Sequence, residues 1–126
     1  MLLVVASGGA LGAVARYLAS GWVQNLAGGF FPWGTFAVNA TGSLLLGFAL
    51  VWLQGTVASP ETRQFITIGF LGSFTTFSTF SFEATAMLRE GEWWRAGGYT
   101  LGSVTLGIAA VVVGGVLASS ILQGRS

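Results

Sequence analysis

The segment GFLGSFTTFSTFSFE, residues 69–83, combines hydroxyl side chains, phenylalanines and one carboxylate in an otherwise apolar part of the chain. On an ideal helix its polar members Thr75, Thr76, Thr79 and Glu83 share one face, with Phe80 at the border. A single membrane threonine can simply bond back to a carbonyl one turn earlier. A whole run that ends in a carboxylate is different, because an intramembrane carboxylate is costly and usually faces protein or water. The pattern predicts a polar lining inside a membrane protein.

The backbone of the same segment is predicted to be irregular. Gly69 and Gly72 lie near its middle and are followed by residues of low helix propensity, so local unwinding is expected between Gly72 and Thr76. A broken helix at membrane depth is tolerated only where protein or water satisfies the freed backbone groups. Exposed carbonyls there suit a small hard cation, and exposed amides suit an anion.

The composition places this segment in a membrane protein. Hydrophobic residues make up 53% of the 126 residues and charged residues 7%, against about 25% charged in soluble proteins. The sequence has no cysteine and no histidine, which excludes disulfides, thiolate and imidazole chemistry and the usual zinc sites. A formal net charge of +1 provides no basic stripe, so no nucleic-acid partner is expected.

Charges and prolines divide the sequence into four apolar blocks, each close to the roughly 20 residues that a helix needs to cross a bilayer. We predict an all-α integral membrane protein, a single domain over residues 1–126. The expected spans are residues 1–20, 34–53, 65–88 and 96–122. The first block has no basic region before it and is interpreted as a span, not as a signal peptide. Arg16 is expected near the far end of this span, where a long side chain can reach the interface.

The arginines carry almost no orientation signal. With four spans, Arg63 and Arg125 lie on one side of the membrane, against Arg16, Arg89 and Arg95 on the other, and the sequence has no lysine. A two-to-three division is close to no positive-inside bias. We therefore predict that the chain inserts in both orientations and pairs as an antiparallel homodimer.

The remaining spans add few polar candidates. Asn39 is the one amide inside the second span, and Tyr99 and Ser103 lie in the first turns of the fourth. A lone membrane asparagine more often joins helices than lines a pore, but beside the polar face of the third span a lining role gains weight. The sequence has neither acidic rings nor clustered basic side chains for a pore. Hydroxyl and amide donors, with the positive edges of phenyl rings, favour a small halide-like anion.

Two other function classes stay open on these residues alone. A proton-coupled small multidrug transporter shares the span number and the low charge, but needs a carboxylate deep in the first span, and residues 1–15 have none. An accessory scaffold would tolerate changes in the third span. A scaffold would not explain the polar content of that span, and no enzyme activity is expected.

Three motifs together resemble a known family. GGALGAVARY (residues 8–17), PWGTFAVNATGSLLLG (residues 32–47) and GFLGSFTTFSTFSFE are similar to the Fluc/CrcB fluoride channels of bacteria, and the resemblance covers essentially the full chain. It implies a multi-pass protein of the bacterial inner membrane, an antiparallel dual-topology homodimer with two pores. Fluoride would leave the cytoplasm passively through them, which protects the cell from fluoride toxicity.

The resemblance also implies residue roles. Phe77 and Phe80 would contact fluoride with their rings, Asn39 would donate a hydrogen bond in the pore, and Arg16 would lie near a pore mouth. The further lining residues would be Thr76, Thr79, Glu83, Tyr99 and Ser103. Backbone carbonyls of Gly72 and Thr75 would hold a structural sodium ion at the dimer centre.

The sequence departs from the family pattern at two positions. Ser73 replaces a glycine found in some relatives. Gly107 stands where a further hydroxyl is common, so that contact would need Thr105 or water. Glu83, which an anion pathway should disfavour, is interpreted as a hydrogen-bond acceptor for neighbouring hydroxyls.

Overall fold

The computed structural model describes residues 1–125, and within that range every regular element is helical. The elements are α1 (Leu2–Ala27), α2 (Trp33–Gln54), α3 (Pro60–Gln64), a π-helix (Phe65–Leu71), α4 (Gly72–Phe74), α5 (Phe77–Arg89) and α6 (Trp93–Gln123). Among these residues four helical stretches are long and apolar enough to cross a membrane, and the third runs continuously in sequence from Pro60 to Arg89. This confirms an all-helical protein with four potential spans.

Helix α1 is longer than the sequence indicated. It ends at Ala27, because no proline or charge interrupts it after Ser20. The prediction that Arg16 lies near the end of the first span, with its head at the interface, is therefore wrong. Arg16 lies within the helix, is half-buried, and its Nε donates to the carbonyl of Ser73 at 2.9 Å.

The third span begins with a well-defined helix start. The Ser59 hydroxyl accepts a hydrogen bond from the amide of Thr62 at 3.1 Å, and Pro60 occupies the first turn, where its missing N–H costs nothing. The following π-helix was not predicted. Gly8 and Gly12 of α1 pack on its backbone, and a Cβ at Gly12 would overlap the carbonyl of Phe70. The wide turns therefore occur where α1 lies against bare backbone.

The third span is broken at Thr75 and Thr76, whose φ/ψ values of −90°/157° and −148°/121° are extended. The break is narrower than expected, because Gly72 keeps helical dihedrals of −62° and −31° and unwinding does not begin there. The helical positions assigned to Thr75 and Thr76 are also wrong, since neither residue is helical. Thr79, Phe80 and Glu83 do lie on one helix, α5.

Helix α2 lies close to α6 and to the break. A Cβ at Gly47 would overlap the carbonyl of Val111, and a Cβ at Gly42 would overlap the methyl group of Thr75. Glycine at position 47 lets α2 approach the backbone of α6, and glycine at position 42 makes room for the Thr75 side chain. Helix α2 thus forms one wall against the break in the third span and the middle of α6.

Candidate ion pathway

A groove of about 380 Å³ lies between α2, the break and α6. None of its lining residues in the described chain carries a charge. The lining comprises Asn39, Ser43, Thr75, Thr76, Phe77, Phe80, Ser103, Val104, Gly107, Ile108 and Val111. The structure therefore brings together five residues predicted for the fluoride pathway: Asn39, Thr76, Phe77, Phe80 and Ser103.

Asn39 and Thr76 are joined by two hydrogen bonds. The Thr76 amide donates to Asn39 Oδ1 at 2.7 Å, and Asn39 Nδ2 donates to the Thr76 carbonyl at 3.0 Å. One amide side chain thus satisfies both backbone groups of an extended residue at membrane depth, where an unpaired group costs several kcal/mol. Sequence reasoning proposed Asn39 as a donor in the pore but missed this pairing, which depends on how α2 meets the break.

The break also directs a helix N-terminus toward the groove. The Thr76 hydroxyl accepts from the Thr79 amide at 3.3 Å and caps α5. The first turn of α5 carries unpaired amides and the positive end of the helix dipole. Thr79 is held by this cap, and its hydroxyl accepts from that of Thr76 at 3.2 Å. Electrostatics at this end of the groove favour an anion.

A row of ring contacts leads from Phe77 and Phe80 at the groove to Tyr99 and Phe31 inside the chain. The Phe77 and Phe80 rings have centroids 5.8 Å apart, and the Phe80 ring lies 5.1 Å from that of Tyr99. Phe80 is 8% exposed, whereas Phe77 is 78% exposed. Phe31, from the connection before α2, covers Tyr99 edge-on at 5.3 Å. One predicted pore ring is therefore packed in the chain and the other projects from it.

One buried hydroxyl of the groove has no hydrogen-bond partner within the described residues. It is Ser103 Oγ. The Tyr99 hydroxyl, one helical turn earlier on α6, lies outside the groove and interacts with Thr35 and Glu83. Buried polar groups are nearly always paired, so an orphan needs an explanation. Because a serine hydroxyl can donate, an anion bound in the groove would supply the acceptor that Ser103 lacks.

Ser43 is a groove residue that sequence reasoning missed. It lies one turn after Asn39 on α2, and its Oγ would be 3.8 Å from a Cβ at Gly107. Thr105, considered earlier as a replacement for the hydroxyl absent at position 107, is exposed and does not line the groove. The four-residue spacing from Asn39 to Ser43 was the available signal, since both lie on one helix face.

Glu83 lies beyond the groove and is bound by Thr35. The Thr35 hydroxyl donates to Glu83 Oε1 at 2.5 Å, and Thr35 is buried. Within the described chain Glu83 has no basic residue within ion-pair distance. Glu83 is therefore a hydrogen-bond acceptor, but its donor is a hydroxyl of α2 and not one of the neighbouring hydroxyls in its own segment. It also keeps the carboxylate outside the set of residues that line the groove.

Arg16 is not brought to the groove. Its bond to the Ser73 carbonyl places it on the side of the break that faces α1. Arg16 therefore contacts the backbone just before the break. It was expected near a pore mouth, and it is not among the residues that line the groove.

The carbonyls of Gly72 and Thr75, the two predicted sodium ligands, lie at the break in the third span. The Thr76 amide, which would close a helical turn on Gly72, donates to Asn39 instead. The Thr79 amide, which would do the same for Thr75, donates to the Thr76 hydroxyl. Both carbonyls thus lack the donor that a continuous helix would provide, and carbonyl oxygens are ligands that hard cations prefer. Two carbonyl oxygens are too few to complete the coordination shell of such a cation, so further ligands would be needed.

The fold and the groove define a class: a small multi-pass membrane protein with an uncharged, donor-rich pathway beside a broken helix. Residues 3–115 match the family model described as "CrcB-like protein, Camphor Resistance (CrcB)". The chain belongs to the CrcB family, which confirms the resemblance seen in its motifs.

Individual relatives are similar over most of their length. A "Fluoride-specific ion channel FluC" of Hahella chejuensis is 50% identical over 122 residues, which is 96% of each chain. Proteins with the same name from Geobacter sulfurreducens and Thermus thermophilus are 51% identical over 106 residues and 47% identical over 113 residues. These alignments cover 83% and 89% of this chain and 86% and 88% of the relatives.

Proposed function

We propose that this protein is a fluoride-selective channel, not an enzyme, and that it lets fluoride leave the cytoplasm passively. The observation that carries the proposal is the buried, partnerless hydroxyl of Ser103 in an uncharged groove that Phe77 and Phe80 also line. The names of the relatives support the same ion. A fluoride channel meets a physical need, because neutral HF crosses a membrane unaided and ionises inside, where the anion is trapped.

The lining explains a preference for fluoride over chloride. Fluoride is small and accepts strong hydrogen bonds, so it gains most from hydroxyl donors such as Ser43 and Ser103 and from the N-terminus of α5. Ring edges of Phe77 and Phe80 offer further positive potential in a narrow site. A larger anion would lose its hydration without equal compensation.

We further propose that two copies form an antiparallel dimer in the bacterial inner membrane. Gly72 is exposed in the single chain, and its free carbonyl cannot face lipid at membrane depth. The exposed Phe77 ring and the near-equal distribution of arginines support a second copy in the opposite orientation. Reporters fused to the carboxy terminus should label both sides of the membrane, and a one-sided result would remove the dual topology.

We propose that sodium binds at the centre of this dimer. Gly72 and Thr75 of each copy would contribute their carbonyl oxygens, so that the pair completes a shell that one chain cannot. The ion would neutralise four carbonyl dipoles at the interface and hold the two breaks together.

Flux from liposomes tests the channel proposal. Vesicles that contain the purified protein and potassium fluoride, with a potassium ionophore present, should release fluoride to an ion-selective electrode without any pH gradient. Chloride-loaded vesicles should release almost nothing. Equal chloride release would contradict the selectivity, and release that requires a proton gradient would favour the coupled transporter.

A further inference from the structure

Asn39 connects the groove to the predicted cation site. It lines the groove, and its side chain makes both hydrogen bonds to Thr76. A carboxamide has two N–H donors, so one remains for the groove after the Thr76 carbonyl is satisfied. The same side chain can therefore meet an anion and hold the break.

The hydrogen bond from the Thr76 amide to Asn39 determines whether the Gly72 carbonyl is free or hydrogen-bonded within the helix. Without Asn39 Oδ1, this amide would lie at membrane depth without an acceptor, which is costly. The nearest helical acceptor is the carbonyl of Gly72, four residues earlier, and α4 would then extend by one residue, to Thr75. That carbonyl would no longer be free for a cation.

We infer that Asn39 is a positioning residue for sodium: by capturing the Thr76 amide it keeps the Gly72 carbonyl available as a ligand. The inference rests on the sodium site of the proposed function. It goes further in that it assigns cation affinity to a side chain that does not touch the cation. Fluoride in the groove and sodium at the interface are then both linked to one carboxamide.

Sodium-dependent stability tests the inference separately from conduction. Thermal unfolding of the purified dimer, followed by tryptophan fluorescence without fluoride, is measured while sodium chloride replaces N-methylglucamine chloride at constant ionic strength. The wild type should gain stability with a saturating sodium dependence. Asn39→Ala should raise the half-saturating sodium concentration about tenfold, because binding must first break a Thr76–Gly72 hydrogen bond worth about one order of magnitude.

Two further variants distinguish this role from a general loss of structure. Asn39→Asp keeps an acceptor for the Thr76 amide and adds a negative charge that favours a cation, so its half-saturating sodium concentration should not rise while fluoride flux falls. Ser103 lines the same groove without contacting the break, so Ser103→Ala should also keep the wild-type sodium dependence. If Asn39→Ala yields no dimer, Asn39→Asp carries the test.

Three results would overturn the inference. The first is a wild-type sodium dependence in Asn39→Ala, and the second is a tenfold weakening in Asn39→Asp. The third is a wild-type dimer that is indifferent to sodium, which would also remove the proposed cation site. None of these would affect the channel proposal, which is judged by fluoride release alone.

Discussion

Replacing Ser103 by alanine should reduce fluoride flux without destabilising the protein. The Ser103 hydroxyl lines the groove, is buried, and has no partner within residues 1–125. Its removal therefore breaks no intramolecular hydrogen bond. An ordinary buried serine would show the opposite behaviour, because its loss would leave a partner unsatisfied.

The expected magnitudes follow from the missing acceptor. A hydrogen bond to a charged group contributes about 1.5–3 kcal/mol, and each 1.4 kcal/mol is a factor of about ten. If fluoride takes this bond at the rate-limiting position, Ser103→Ala should lower flux by about 10- to 100-fold. The free energy of unfolding should stay equal or rise by a few tenths of a kcal/mol, since alanine is also the better helix former.

Liposome flux and thermal unfolding of the same preparation measure both quantities. Ser81→Ala is the matched control, because the Ser81 hydroxyl donates to the Phe77 carbonyl at 3.0 Å and does not line the groove. Its flux should stay within about twofold of wild type. A Ser103→Ala protein that is less stable but conducts normally would refute the reasoning, since the hydroxyl would then be structural.

Three other changes test the ring, the break and the carboxylate. Phe80→Ile should reduce fluoride flux while gel filtration still shows a dimer, and unchanged flux would remove the ring from the pathway. Gly42→Ala should lower the free energy of unfolding by about 1–3 kcal/mol, because the new Cβ would overlap the Thr75 methyl group at the break. Gly97→Ala is the control, because a Cβ there meets open space, and it should be neutral or stabilising. Equal losses in the two variants would contradict the steric argument. Thr35→Val should destabilise the protein by about 1.5–3 kcal/mol through the lost bond to Glu83, and unaltered unfolding would show that this bond contributes nothing.

The four spans were predictable because the length and apolar composition of a segment are enough to indicate that it can cross a bilayer as a helix. Long apolar helices separated by prolines and charges need no tertiary information. The break was foreseen from Gly72 and the hydroxyl residues after it, although it begins at Thr75. Its position within a few residues depends on contacts with α2, where Gly42 makes room for the Thr75 side chain.

Features that depend on two elements were not accessible from the sequence. The π-helix occurs where Gly8 and Gly12 of α1 meet its backbone, and no local pattern encodes that contact. The two hydrogen bonds between Asn39 and Thr76 join residues 37 positions apart. Arg16 was misplaced for the same reason, since its partner is a carbonyl in the third span. Periodicity identified the chemistry of these residues but not their partners.

The most direct test of the central claim is the reversal potential of the purified protein in a planar bilayer. With a tenfold fluoride gradient opposed by a tenfold chloride gradient, the current should reverse at the fluoride equilibrium potential, about 59 mV from zero. The value should not move when a pH gradient is imposed. Reversal at the chloride potential, or a shift with the proton gradient, would contradict a passive fluoride channel.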